Sequence, residues 1–332
     1  VLVFKNIKPP MKHHYIPQFY LANFINPSDN NAQLWVTDLK QCKQWKAAPS
    51  AIAYQNKLYS LEENKEGQNT ENDIIEKTFS QLESMADPII KEILKTERLP
   101  TGEGFNILIN FIALMASRTP VMINQRAKPL IEMNKIVMDL YLSSKDRWES
   151  LTTRMAEEEK LSPKSLSITT YEKMNEFIRS RNYKMDINQN YKIKQMLDSV
   201  DILIPLLAQR KWSLLFSKDI TTTLPQLGGF ICSDNPVALV SLDPLPPIYS
   251  PGFGMLRTEV SMPLSKDVAI VGRFEGNEEV STISVKGVAS INSRTGMYAD
   301  RFHYHSNKNF IMVNNQQQIC NVNVLLDYYK NS

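Results

Sequence analysis

The sequence predicts an α+β protein in which a helical core packs against β-rich N- and C-terminal segments. Three observations carry this. Helix-period apolar spacing and helix-start signals fill the middle of the chain, about residues 70–210. Short extended stretches rich in aromatic and β-branched residues precede it and recur at about 211–315. A length of 332 residues, 42% of them hydrophobic, is enough to bury a large core. Residues 11–332 are expected to form a single domain, because the N-terminal β segment is too small to fold alone. Residues 1–10 end in Pro9-Pro10 and are expected to be a disordered or upstream extension, with Met11 as a candidate start.

The elements follow in order. The cluster Asn26-Pro27-Ser28-Asp29-Asn30-Asn31 marks a turn. Residues 33–38 (QLWVTD) predict a strand, 44–47 its hairpin partner and 57–61 (KLYSL) a third short strand, before a polar loop over 62–69. Thr70 and Asp73 have capping-box spacing. Ile75, Phe79, Leu82 and Ala86 then share one helical face. Asp87-Pro88 reads as an N-cap with proline at the first helical position, so a new helix is expected there, running to about 95. Residues 101–117 predict a helix that is apolar on most sides and therefore buried. Thr119-Pro120 repeats the cap-plus-proline signal for a helix reaching about 142, and further helices are expected at about 163–181 and 188–209. Strands are expected at 212–216, at 229–232 leading into Ser233-Asp234-Asn235-Pro236, and at 260–263 and 268–273. Residues 242–254 form a long Pro- and Gly-rich loop. A helix at about 282–298, short strands at 301–305 and 310–313, and a last helix ending near Tyr329 complete the chain.

Composition narrows the function classes. With 38 basic and 35 acidic side chains, the net charge of +3 neither demands nor forbids a nucleic-acid partner. The longest apolar run, roughly 105–116, is shorter than the ~20 residues that cross a bilayer, so no membrane association is expected. Cys42, Cys232 and Cys320 are odd in number and far apart, which points to free thiols in a reducing, cytoplasmic setting. The chain has no P-loop, no dinucleotide fingerprint, no G-x-S-x-G elbow, no H-E-x-x-H and no Cys-x-x-Cys.

Residues 11–25, MKHHYIPQFYLANFI, hold two of the four histidines. Adjacent residues point to opposite faces of a strand, so one of His13 and His14 can act while the other anchors. Imidazole titrates near neutrality and suits acid–base work or metal binding, or else both rings bond a buried turn. Gln18 can orient a substrate or tie the segment to backbone elsewhere. Arg118 ends a buried helix, where a guanidinium needs a carboxylate or an anionic ligand. Asp234, at a strand end, is a candidate metal ligand or base with Asn235 as a donor. As Asx residues the two would instead make a turn. Glu76 and Glu83 lie seven apart on one side of a helix and could hold a divalent cation, or simply be solvated. His303 and His305 share one strand face; two imidazoles at that spacing can bind a metal, but an exposed accidental pair is expected. Lys173, Arg179, Arg181 and Lys184, followed by Lys192 and Lys194, interleave with Tyr171, Tyr183 and Tyr191 as a candidate nucleic-acid patch. Glu172, Glu176 and Asp186 dilute it.

The opening H-H-Y-I-P-Q-F-Y-L-A-N-F resembles a widespread, mainly bacterial family known only as a domain of unknown function. Arg118-Thr119-Pro120, Phe230-Ile231-Cys232-Ser233-Asp234-Asn235-Pro236-Val237, Met262-Pro263-Leu264-Ser265, and Asn292 with Ala299-Asp300-Arg301-Phe302 are similar to its later motifs. The resemblance spans about residues 11–305. It brings no established activity, so it supplies positions and not a mechanism; through it Arg301 joins the substrate-binding candidates. Two functions stay open. One is a metal-assisted hydrolase, nuclease- or phosphodiesterase-like, with His13, His14, Arg118 and Asp234 catalytic, Gln18, Asn235 and Arg301 on the substrate, and a divalent cation as cofactor. The other is a non-catalytic sensor or interaction protein in which the same residues form a structural polar network. Either way, His13 or His14, Arg118 and Asp234 are expected to meet in space.

Overall fold

Strand pairing joins the two β-rich ends of the chain. The computed structural model describes residues 12–62, 74–158, 170–246, 248–314 and 316–331. In it β2 (Leu34–Asp38) pairs antiparallel with β3 (Lys43–Ala47) on one side and β11 (Phe302–His305) on the other. β6 (Cys232–Ser233) completes a four-stranded sheet in the order β3-β2-β11-β6. Strands β5 (Lys211–Phe216), β7 (Ala238–Ser241), β8 (Thr258–Pro263), β9 (Val268–Arg273) and β10 (Val280–Thr282) form a second sheet, ordered β10-β5-β9-β8-β7. Its pairs are antiparallel except β10 with β5. Two small pairs remain: β1 (Lys12–His14) with β4 (Tyr54–Asn56), and β12 (Ile311–Val313) with β13 (Ile319–Asn321).

Helices account for the rest of the α+β fold: α1 (Gln18–Ala22), α2 (Ile74–Thr96), α3 (Gly102–Met115), α4 (Pro120–Tyr141), α5 (Lys145–Glu157), α6 (Tyr171–Arg179), α7 (Gln189–Ala208), α8 (Lys218–Thr223), α9 (Val285–Tyr298) and α10 (Val322–Asn331). The chain divides into two compact units, Asn124–Lys192 and the remainder. The smaller unit has its own apolar cluster of Leu142, Trp148 and Ile178, with Met138, Met174 and Tyr183 against it. No single helix among the described residues is long and apolar enough to cross a membrane.

The core of the larger unit is where the N-terminal motif goes. Ile16, Tyr20, Leu21 and Phe24 are fully buried. They pack in one cluster with α3, through Phe111 and Ile112, and with Trp212, Val260 and Met262 of the five-stranded sheet. Tyr20 meets Phe111 edge-on at 6.0 Å between ring centroids. Burial of that much aromatic and aliphatic surface explains why a stretch so near the terminus is ordered, each large side chain contributing about 1.5–3 kcal/mol.

Several elements differ from expectation. α2 does not stop at Asp87-Pro88 but runs through it. Phe79, Ala86, Ile90 and Ile93 keep one buried face on both sides of the proline, and that burial outweighs the ~3 kcal/mol cost of an interior proline. The strand expected at 57–61 lies earlier, as β4, because Lys57 adopts a left-handed φ of 56° and turns the chain. α5 was not anticipated, although the Ser144 hydroxyl caps it by accepting the Arg147 N–H at 3.4 Å. β7, β10 and β13 were missed, being only three or four residues long and stabilised by neighbours in the sheet. The helix expected from about 282 starts at Val285, after the cap Ser284, because 280–282 are taken by β10. Residues 1–11, the Thr70–Asp73 capping box and the start of the helix expected at about 163 lie outside the described residues.

Phe24→Ala is expected to destabilise the protein by about 3–5 kcal/mol in urea unfolding, since it opens a cavity in the main core. An unchanged midpoint would show that the N-terminal motif is not part of that core.

Candidate functional site

The N-terminal motif is built as strand, turn and short helix, and the strand sorts its histidines. In β1 His13 is fully buried and His14 half-buried. The His13 ring stacks on Tyr59 at 5.6 Å, and its Nδ1 accepts the Tyr59 backbone N–H at 2.8 Å. His14 faces Tyr54 and lies 3.4 Å from the exposed Gln18 amide nitrogen through Nδ1. Burial lowers the His14 pKa, against opposing effects from the Ser50 carbonyl and Glu83.

Arg118 sits three residues beyond α3 with its side chain wholly buried. Its Nη1 donates to Glu83 Oε1 at 2.5 Å, its Nη2 to the His14 carbonyl, and its Nε to the Tyr59 hydroxyl at 3.3 Å. The Tyr59 hydroxyl in turn donates to the Arg118 carbonyl at 2.8 Å. The guanidinium also lies 4.9 Å from the centre of the Phe79 ring. Burial disfavours its charge, but Tyr59 and Glu83 outweigh burial and hold its pKa above the ordinary arginine value. The anion Arg118 requires is thus Glu83. One of the two glutamates considered for a metal binds a guanidinium instead.

Asp234 ends β6 and is nearly buried. Its Oδ1 accepts the Asp300 N–H at 2.9 Å, and its Oδ2 accepts those of Arg301 at 2.8 Å and Phe302 at 3.0 Å. Burial pushes its pKa up to about 6, while the three N–H donors pull the other way. Asn235 Nδ2 donates to the Tyr298 carbonyl at 3.1 Å, and its Oδ1 accepts the Thr119 hydroxyl at 3.2 Å. The two motifs Arg118-Thr119-Pro120 and Ser233-Asp234-Asn235-Pro236 are therefore stitched together directly. Tyr15, next to His14, brings the N-terminal motif to the same place: its hydroxyl faces that of Tyr304, with Asp234 nearby. The three motifs are joined by contacts, but among the described residues no hydrogen bond connects Arg118 to Asp234.

The other nominated residues are accounted for as well. Arg301 donates from Nε and Nη2 to Asp38 Oδ2 at 3.0 and 2.6 Å and covers the Phe302 ring. His303 and His305 are not exposed: both are fully buried in β11. Both rings pack against Phe310, with ring centroids 5.6 Å and 4.6 Å away. His305 donates from Nδ1 to the Asn307 carbonyl and accepts the Thr37 hydroxyl at Nε2, 2.8 Å away. Burial lowers the pKa of His303 to about 4 and that of His305 to about 3. Lys173, Arg179, Arg181 and Lys184 are all exposed in the smaller unit. Arg181 lies 3.6 Å from Asp139, and Arg179 donates to Asn175. Among the described residues no group of three or more His, Cys, Asp and Glu is placed to hold a metal. Two open cavities lie elsewhere: one of about 400 Å³ is lined by Ile89, Glu92, Ile93 and Pro100, and one of about 320 Å³ by Asn23, Phe216, Lys218 and Lys266.

Three buried polar residues escaped the sequence reading. Tyr59, the hub of the Arg118 cluster, sits in a stretch that reads as a plain strand. Arg210 is buried and donates to the Thr258, Gly272 and Phe253 carbonyls at 2.9, 3.2 and 2.6 Å, so carbonyls and the Phe274 ring replace a carboxylate. Glu259, fully buried in β8, is paired by Arg273 and Arg294. A charge inside a strand-like stretch was the available signal for Glu259. Asn292, noticed only as part of a motif, is fully buried in α9; it accepts the Ile231 N–H and donates to the Gly229 and Ile311 carbonyls, each at 3.0 Å.

Fold and site together define an α+β protein in which strand-end and helix-end motifs clamp an N-terminal strand–helix segment onto the core. Residues 12–309 match the family described as "Protein of unknown function (DUF4238)", and the chain belongs to that family. No curated protein and no solved structure matches the chain.

Two outcomes follow from these contacts. Arg118→Met is expected to lose about 3–5 kcal/mol in chemical denaturation by leaving Glu83 and the His14 carbonyl without their donor; a loss below ~1 kcal/mol would show that the cluster is dispensable. The two histidines of β11 contribute to acid sensitivity. Unfolded histidine binds a proton below its ordinary value of 6.5, whereas folded His303 and His305 resist until about 4 and about 3. The unfolded state therefore binds more protons in that window, and stability falls as pH drops from ~6.5 to ~4. Asp234, raised to about 6, acts in the opposite sense with a single proton. Urea midpoints that rise on acidification through this range would contradict the assignment.

Proposed function

We propose that this chain is a non-catalytic interaction protein whose motif residues form an internal polar network rather than a reaction centre. The observation that carries the reading is the bonding of Asp234. Its two oxygens accept three backbone N–H groups of the 300–302 turn, an arrangement that orders a loop and leaves the carboxylate facing peptide rather than solvent. Arg118, held by Glu83, Tyr59 and a carbonyl, supports the same reading. A second reading, a phosphodiester hydrolase, is favoured by one residue. His14 is half-buried, adjoins Gln18 and Glu83, and has a lowered pKa that keeps it neutral at pH 7, as a general base requires.

Melting temperature and phosphodiester turnover, each with and without Mn²⁺ or Zn²⁺, separate the two in wild type, His14→Ala and Asp234→Asn. Under the network reading no turnover is found, and Asp234→Asn costs about 1–3 kcal/mol of stability because backbone N–H groups lose an acceptor. Wild-type turnover that His14→Ala abolishes at an unchanged melting temperature would establish the hydrolase instead.

A further inference from the structure

The net positive charge of the chain resides in the smaller unit. Asn124–Lys192 holds thirteen basic and ten acidic side chains, an excess equal to the +3 of the whole sequence, so the larger unit is balanced. Part of the excess gathers on α6 and the stretch that follows it, where Lys173, Arg179, Arg181 and Lys184 are exposed. Two acidic side chains of this stretch are spent on other cations: Glu172 lies 3.4 Å from Lys145 of α5, and Asp186 lies 2.6 Å from Lys192. Glu176, exposed on α6, offsets one charge. Among the described residues no ion pair holds Lys173 or Lys184, and Arg179 donates to the neutral Asn175 amide at 2.9 Å.

An aromatic pair stands among these cations. Phe177 is 50% exposed on α6, and the Tyr183 ring lies 5.3 Å away, tilted by 34°. A chain reversal makes the pair. Arg181 takes a left-handed φ of 54°, its N–H on the Ile178 carbonyl at 3.2 Å, and Tyr183 returns beside the helix. Tyr183 packs on the cluster of Leu142, Trp148 and Ile178, whereas Phe177 is no part of it. Folding accounts for Tyr183 and leaves Phe177 in water. Lys173 lies one helical turn before Phe177, on the same face. An isolated exposed ring is ordinary; a ring set among uncompensated cations has both components of a single-strand binding surface.

We propose that Lys173, Phe177, Arg179 and Lys184 form a contact surface for single-stranded nucleic acid, with a base stacked on the Phe177 ring and the cations on neighbouring phosphates. The inference rests on the reading of the chain as an interaction protein and names the partner class. Every base offers a π-face, and phosphates met by lysine and arginine release their counterions, so a surface of this kind binds without reading sequence. A duplex keeps its base faces stacked inside and offers the ring nothing. A lipid surface fits less well. Phe177 is the one large apolar side chain that α6 exposes, too little for the apolar face by which a helix lies in a bilayer interface.

The test follows the fluorescence anisotropy of labelled oligothymidylate and oligouridylate with the full chain across a range of salt, beside a DNA duplex and phosphatidylserine vesicles. DNA and RNA share the rings and phosphates involved, so binding of either single strand is the expected result, weakening as salt rises. Phe177→Ala is expected to weaken it about tenfold and Phe177→Trp to retain it. Melting temperature stays unchanged in both, because Phe177 lies outside the unit's apolar cluster. Lys173→Gln and Lys184→Gln should each lower the salt slope by about 0.7. No binding of either strand at low salt, equal binding by Phe177→Ala, duplex binding as tight as that of the single strands, or vesicle binding that Phe177→Ala removes would each overturn the proposal. Failure here without turnover leaves the network reading intact, whereas turnover lost in His14→Ala overturns that reading whatever the oligonucleotides do.

Discussion

A buried guanidinium organises the larger unit. Moving Arg118 out of water is tolerable only if its charge and its N–H groups are met, since an uncompensated buried charge costs several kcal/mol. The groups that meet it come from three places: Glu83 in α2, the carbonyl of His14 in β1, and Tyr59 just past β4. Any arrangement lacking one of these elements leaves the charge exposed to an apolar interior. The ion pair therefore selects one packing of the N-terminal strand against α2 and the end of α3, while the apolar cluster beneath supplies most of the favourable free energy.

The same logic recurs along the chain. Asp234 gathers the turn before β11, Asn235 ties that region to Thr119, and Asn292 bridges the approach to β6 with β12. Each polar side chain bonds groups far away in sequence, so each fixes a register that hydrophobic burial alone leaves loose. Backbone closeness adds a steric condition: a Cβ on Gly229 would lie 1.9 Å from the Lys266 carbonyl oxygen, beside the bond that this oxygen accepts from Phe230. These clamps give the polar motif residues their partners within the fold.

Most of these buried polar side chains are bonded, although Arg210 Nε and the Ser261 hydroxyl have no hydrogen-bond partner among the described residues. Exposed groups include the basic residues of the smaller unit, Gln18 and the apolar tips of the connection between β7 and β8. Of these, the connection is tied at its root by Arg210 and by the Arg257–Asp243 pair, and Ile248, Tyr249 and Leu256 stand in water. The exposed side chains of that connection contribute little to the core.

The sequence by itself determined the class of fold, the order of most elements and the positions of the motifs. Periodicity located α3, α7, β2, β5, β8 and β9, because each buries a face whose spacing is visible locally. It also showed that His13, Arg118, Asp234 and Asn235 were unusual. It could not say what they bond. Glu83 and Arg118 are 35 residues apart and Asp234 and Phe302 are 68 apart, so their partnership is a property of packing. Tertiary structure likewise decided that α2 runs through Pro88, that His303 and His305 are interior, and that β2 meets β11. In each case local preference was small beside the burial gained when distant segments came together.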